Sequence, residues 1–308
     1  SDILNQKWDL IVIAVSSIGI DLIGQNLSKI KNKSPILVLT KGLKLDGRNL
    51  ISMSSQLKKY NKNLNISVLK GPCLAKELAK KVKSFTVVAN KNINTAKKIG
   101  KLISTNYYQT EFSRDVNGVE FLSAIKNIYS MIIGAGQWHN TSSALFRKSI
   151  DEMKYLANYF KGKKETVYGL AGLGDLYVSA MGGRNSKMGK YLGNGVEYKK
   201  AKSEFMPNDT VEGAELALEI GPKILKEFKK ENFPMISLDH DLEGLVKDKN
   251  NNASKELKEK MGEAKWLIRA INKRNETVQN VGALICQKQA DFLSEKSAEL
   301  KPLSNIEL

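Results

Sequence analysis

Short runs that are apolar on both faces alternate with amphipathic stretches through the first third of the chain, and this alternation limits the fold more than any other feature. A strand apolar on both faces must be covered on both sides, which places it in a parallel sheet flanked by helices. Residues 9–15 (Asp-Leu-Ile-Val-Ile-Ala-Val) give the first such strand, buried on both faces, and residues 18–30 the helix that follows. Further strands are predicted at 35–40, 66–69, 85–88 and 107–112, with helices at 74–82 and 93–104. The third strand ends at Gly71-Pro72, a pair that punctuates it before the next helix. A doubly wound α/β sheet follows.

From Val116 the period changes. Apolar residues recur at helical spacing over 118–133 and 141–160, interrupted by a Gly-rich connection at 169–174 and a loop at 182–185. A helix over 211–220 then carries Glu212 in its first turn. The fold class is therefore α/β plus all-α. After a polar stretch at 248–254, residues 255–293 read as one or two helices with Trp266, Leu267, Ile271, Val278, Val281, Ile285 and Phe292 on an apolar stripe. The predicted segments are 1–114, 115–235 and 236–308.

Charge supports the last boundary independently. The chain carries 49 Lys+Arg and 32 Asp+Glu, a net +17, yet residues 236–308 hold 12 of each, so the whole excess falls on residues 1–235. Such a surplus fits nucleic acid, a basic pocket for an anionic substrate, or a lysine-rich proteome. With 3 Trp, 9 Phe and no stretch interleaving aromatics with arginine, direct nucleic-acid binding is not expected. Two cysteines, Cys73 and Cys286, make no disulfide framework and fit a reducing cytoplasm. His139 and His240 lack partners at metal-ligand spacing, so no metal is expected. No apolar run reaches the roughly 18–20 residues of a membrane span. The opening residues show neither a leader pattern nor an initiator methionine and read as an interior cut.

Four motifs stand out. Thr40-Lys41-Gly42-Leu43 lies past the second strand, where open α/β sheets bind ligands, and residues 71–77 (Gly-Pro-Cys-Leu-Ala-Lys-Glu) occupy the same edge after the third. Ala124-Ile125-Lys126-Asn127 puts a lysine inside an apolar helix. Residues 169–176 (Gly-Leu-Ala-Gly-Leu-Gly-Asp-Leu) end in Asp175, with Gly183-Arg184-Asn185 shortly after. Each has a plain structural reading: Lys41 as a solvated loop residue, Lys126 snorkelling out of its helix, Asp175 and Arg184-Asn185 as turns. Each has a chemical one too. A partly desolvated lysine beside a carboxylate is a tunable acid, and arginine suits bidentate phosphate binding. No Gly-x-Gly-x-x-Gly follows a strand, so motif grammar alone indicates no nucleotide cofactor.

Taken together and in order, with Gly118-Val119-Glu120 and Val211-Glu212-Gly213, these motifs resemble bacterial NAD(P)-dependent glycerol-3-phosphate dehydrogenase over residues 9–235. The resemblance implies an incomplete Rossmann-like parallel sheet, a helical substrate domain, and reduction of dihydroxyacetone phosphate by NADH or NADPH to sn-glycerol 3-phosphate for phospholipid synthesis. It implies Lys126 as the acid/base, Lys41 as a second lysine on the same oxygen, and Asp175 as the carboxylate orienting both. Gly71, Cys73, Asn127, Ser179, Gly183, Arg184 and Asn185 join Lys41 and Asp175 as substrate contacts. Ala75, Arg184, Val211 and Glu212 are implied on the cofactor side. A homodimer is compatible with it. Cys73, Gly183 and Ser16 depart from the family's usual Ser, Ser and Pro. The family's first strand, Gly-rich pyrophosphate loop and first helix are expected before residue 1, so little or no turnover is the expectation for the chain as written.

The tail uses other vocabulary. Residues 263–271 (Glu-Ala-Lys-Trp-Leu-Ile-Arg-Ala-Ile) and Arg274-Asn275-Glu276-Thr277 resemble the core-binding region of the enhancer-dependent, nitrogen-type sigma factor over about 238–308. That resemblance implies a contact with core RNA polymerase and suggests a join between two genes near residue 236. An ordinary amphipathic helical hairpin is the alternative.

Overall fold

The computed structural model describes residues 4, 6–29, 34–47 and 49–227. The readings made for the tail, including helices over 255–293, lie outside the described residues. In chain order the strands are β1 (Ile11–Ile13), β2 (Ile36–Val38), β3 (Leu43–Asp46), β4 (Asn49–Ser52), β5 (Ile66–Lys70), β6 (Ser84–Ala89) and β7 (Tyr108–Ser113). The main helices are α1 (Ile20–Ser28), α2 (Met53–Tyr60), α3 (Ala75–Ala79), α4 (Ile93–Ile103), α5 (Val116–Ala135), α6 (His139–Tyr159), α7 (Asp175–Gly182), α8 (Arg184–Gly193) and α9 (Glu212–Glu227).

All five predicted strands form, and they make one sheet in the order β1-β2-β5-β6-β7. β1, β2 and β5 run parallel, as do β6 and β7. β6, however, is antiparallel to β5, with Val68 opposite Ala89 and Lys70 opposite Val87, so the sheet is mixed rather than purely parallel. The cause is the crossover. A parallel return needs a helix long enough to carry the chain back along the strand. The predicted helix over 74–82 shrinks to the five residues of α3, and Lys81 in the left-handed region (φ 57°) turns the chain straight into β6.

β1 corrects a second expectation. It stands at the sheet edge, and Val12 is 51% exposed rather than buried. Val12 is in register with Leu37, on the face that α4 covers, but α4 lies over β6 and β7 at the opposite edge. α4 itself is well specified: Asn92 caps it by accepting from Asn94 N–H, worth about 1 kcal/mol, and Ala96, Ile99 and Gly100 form its buried stripe. The antiparallel hairpin β3–β4 and the helix α2, unforeseen between β2 and β5, pack beside the sheet.

The helical layer is organised around α5. Nearly every residue from Gly118 to Gly134 is buried, because α6, α7, α8 and α9 surround this helix. Leu122, Ile125, Ile128 and Ile132 each contribute about 1.5–3 kcal/mol of transfer free energy, which lets the same helix carry polar groups inside. Asp115 caps it through Gly118 N–H (2.9 Å) and also accepts from Lys163 N–H and Thr166 Oγ1. The predicted Gly-rich connection is a single π-helical turn, Leu170–Gly174, running directly into α7.

Candidate active site

Because α5 is covered by its neighbours along nearly its whole length, a polar side chain on it needs partners inside the protein. Lys126 shows the consequence. It is 5% exposed, so it does not snorkel, and its Nζ lies 2.9 Å from Asp175 Oδ1 while donating to Ser179 Oγ. Two of its three N–H bonds are thus engaged among the described residues, leaving the third open to an acceptor from outside the chain. Burial pushes its pKa down to about 8; the positive charge of Lys41 lowers it further and Asp175 opposes the fall.

Asp175 is also buried, and it is not a solvent-facing turn residue. It opens α7 directly after the π-helical turn, and its own N–H is bonded within that turn to Leu170 O and Gly172 O. Its second oxygen, Oδ2, accepts from Lys41 Nζ at 2.8 Å. One carboxylate therefore sits between two ammonium groups, one buried and one (Lys41) 27% exposed at the side chain. Lys41 reaches this position from the turn after β2, where Thr40 Oγ1 donates to Val15 O at 2.7 Å.

Gly71 and Cys73 border the same place. Gly71 has φ +125°, and a Cβ there would lie 3.3 Å from Thr86 Cα, so glycine is required for the chain to leave β5 in this direction. Cys73 is exposed; desolvation pushes its thiol up, against the opposing charge of Lys41.

A second group forms around Glu212. Asn127 Nδ2 donates to Glu212 Oε2 (3.0 Å), and Arg184 lies 3.7 Å from Glu212 Oε1 with both side chains about half exposed. Asn185 is buried and accepts from Gly213 N–H at 2.8 Å, so its carbonyl holds the start of α9. Gly183 joins α7 to α8 by donating its N–H to Ser179 O, and a Cβ there would meet that oxygen at 2.5 Å. Val211 is buried in an apolar cluster with Met131, Met188 and Ala214, leaving only its backbone for a ligand. Ala75 is exposed at the start of α3, without a hydrogen bond to either group among the described residues.

Two further residues of the neighbourhood were given no role by the motifs, although Glu120 lies within Gly118-Val119-Glu120. Lys70, 2% exposed, donates to the backbone carbonyls that lead to Lys41, and Glu120, 2% exposed, accepts from Ser52 Oγ, Ser54 N–H and Ser54 Oγ. A lysine closing an apolar run just before Gly-Pro was the available signal for Lys70. Among the described residues no group of three His, Cys, Asp or Glu is placed to hold a metal, and no helix is long and apolar enough to cross a membrane.

Comparison with known proteins identifies the family. Family models described as the N-terminus and C-terminus of NAD-dependent glycerol-3-phosphate dehydrogenase match residues 4–96 and 115–240. A model described as the sigma-54 DNA-binding domain matches residues 254–308, so the part of the sigma factor resembled there is described as DNA-binding. Among curated relatives, glycerol-3-phosphate dehydrogenase [NAD(P)+] of Thermotoga sp. (strain RQ2) is 31% identical, over 73% of this chain and 68% of its own length. Its counterpart in Clostridium botulinum (strain Eklund 17B / Type B) is 32% identical, over 65% of this chain and 62% of its own. The chain thus spans about three-fifths of the length of that relative. Among solved structures, glycerol-3-phosphate dehydrogenase from Coxiella burnetii is 26% identical with a TM-score of 0.67, covering 76% of this chain and 72% of that one. The Saccharomyces cerevisiae enzyme, at 22% identity and a TM-score of 0.70, covers 82% and 75% and shares the fold.

Proposed function

The chain belongs to the NAD(P)-dependent glycerol-3-phosphate dehydrogenase family, and on that premise we propose that Lys41, Asp175 and Lys126 serve the reduction of dihydroxyacetone phosphate to sn-glycerol 3-phosphate. The observation that carries this reading is the single buried carboxylate between two ammonium groups, one of them tuned to about 8. Such an acid is charged at neutral pH and still gives up its proton readily.

The substrate's ketone oxygen takes the open donor of Lys126 and a contact from Lys41, so the charge that develops there meets two cations. As the carbonyl carbon gains a hydride, the C=O pair moves onto oxygen and collects the Lys126 proton, leaving a neutral amine that solvent reprotonates. Asp175 holds both ammonium groups in place through the step. Arg184, loosely paired and half exposed, is available to the phosphate, with Asn127 beside it. Cys73, Leu74 and Ala75 form an exposed, weakly polar ledge next to Lys41, which fits the flat nicotinamide end of NADH or NADPH. Ala75, Arg184, Glu212 and the backbone at Val211 would hold it. When bound, the reduced nicotinamide supplies the hydride. A homodimer and a cytoplasmic setting belong to the same reading and rest on the family alone.

The test couples two measurements on the full chain: oxidation of NADH or NADPH dependent on dihydroxyacetone phosphate, and calorimetric binding of that substrate. Saturable binding and substrate-dependent turnover, however slow, are expected, with turnover falling sharply in Lys126→Met and binding weakening in Arg184→Ala. The absence of both binding and turnover in the unmutated chain would remove the reading.

A second reading concerns the tail alone and is supported by the sigma-factor match over 254–308. In it, this segment contacts the transcription machinery. Retention on core RNA polymerase, or a shift of a promoter duplex, by the full chain but not by residues 1–246 is the expected result; neither effect would dismiss it.

A further inference from the structure

Lys70 has no part in the chemistry above, yet it is a buried cation at the edge of the site. Its Nζ donates to the carbonyl oxygens of Thr40 (2.5 Å), Leu39 (3.1 Å) and Val38 (3.5 Å), the residues that finish β2 and deliver the chain to Lys41. Three carbonyls converge on one group with three hydrogens, which an uncharged side chain could not satisfy. Lys70 is itself fixed, because Thr86 Oγ1 donates to its carbonyl at 2.5 Å and β6 pairs with it opposite Val87. At the far end of the same excursion, Glu120 on α5 grips Ser52 and Ser54, where β4 passes into α2. The segment from Lys41 through the β3–β4 hairpin is therefore clamped at its entry by Lys70 and at its exit by Glu120.

We infer that Lys70 is a positioning residue that sets Lys41 against Asp175 by clamping the last three carbonyls of β2. This rests on the reading of Lys41, Asp175 and Lys126 as a carbonyl-reducing centre. Lys41 has to span from an edge turn to a buried carboxylate, and displacing a polarising group by about 1 Å can cost up to about a hundredfold in rate. Burial draws the pKa of Lys70 down to about 8, with Glu120 opposing and Lys41, Asp175 and Glu212 also acting on it, so at neutral pH it keeps all three hydrogens. The antiparallel return of β6 also acquires a purpose, since it is β6 that braces Lys70 from behind.

A double-mutant cycle on the full chain tests this. Lys70→Met is expected to lower kcat/KM about tenfold or more in the unmutated background, and by less than about twofold once Lys41→Met is present. Equal losses in both backgrounds, or no loss in the first, would overturn the inference. Competitive acetylation read by mass spectrometry needs no turnover. Lys41 should react about fivefold faster in Lys70→Met than in the unmutated chain, relative to exposed Lys97 and Lys98, because its ion pair with Asp175 is loosened. An unchanged rate would also overturn it. If the unmutated chain shows no substrate-dependent turnover, the proposed function fails while the acetylation result still decides the role of Lys70. Should Lys70→Met not fold, the unmutated chain decides: Lys70 is expected to stay unlabelled while Lys97 and Lys98 react, and equal labelling would contradict the clamp.

Discussion

The two halves of the site are held in opposite ways. Asp175 and Lys126 are buried and joined by charge-assisted contacts at or below 2.9 Å, with Lys41 closing the group from its rim. Arg184 and Glu212 are half exposed and 3.7 Å apart, a pairing worth at most about 1 kcal/mol. The first arrangement suits proton transfer, which needs a fixed, dry geometry before substrate arrives. The second suits recognition, because a loosely paired guanidinium can exchange its partner for a phosphate at little cost. In the proposed reading, tight contacts go with the reacting group and loose ones with the handle.

The contrast can be broken from either side. The largest effect is expected for Lys126→Met, which removes the proton donor and should lower kcat by about 10²–10⁴ while leaving KM nearly unchanged, as initial rates would show. Asp175→Ala leaves two cations without their shared counter-ion, one of them buried. Chemical denaturation should then show a loss of about 3–5 kcal/mol in unfolding free energy. Arg184→Ala should act on KM rather than kcat, raising it about tenfold to a hundredfold, as expected when a charged phosphate contact is lost. Glu212→Gln should be the mildest change, moving stability by less than about 1 kcal/mol in the same denaturation assay. If Arg184→Ala lowered kcat as much as Lys126→Met, the division between handle and reacting centre would fall.

Much of this was legible in the residues, for identifiable reasons. The five strands announced themselves because runs such as Ile-Leu-Val at 36–38 are apolar on both faces. Lys41, Lys126, Asp175 and Arg184 were found through their order and spacing, although one lysine in an apolar helix is ambiguous by itself. Only the all-round burial of α5 decides that Lys126 points inward. The direction of β6 was hidden, since the length of α3 depends on a left-handed Lys81 that no residue preference announces. The β3–β4 hairpin and α2 were hidden by their polar composition, as in Met-Ser-Ser-Gln-Leu-Lys-Lys-Tyr over 53–60. The hydrogen bonds of Asn185 and Gly183 among the described residues support the backbone that carries Arg184. Motif order brings Arg184, Asn185 and Glu212 into one neighbourhood, and packing decides which of their side chains stay exposed.

Burial lowers the pKa of Lys126 to about 8, as a proton donor at neutral pH requires. The pH dependence of kcat/KM for ketone reduction tests it most directly. Reduction requires the protonated form, so the rate should be level below about 8 and fall about tenfold per pH unit above it. The reverse oxidation, which uses the neutral amine as base, should rise toward the same value. A reduction rate that stays level up to the ordinary lysine value near 10.5 would contradict the account.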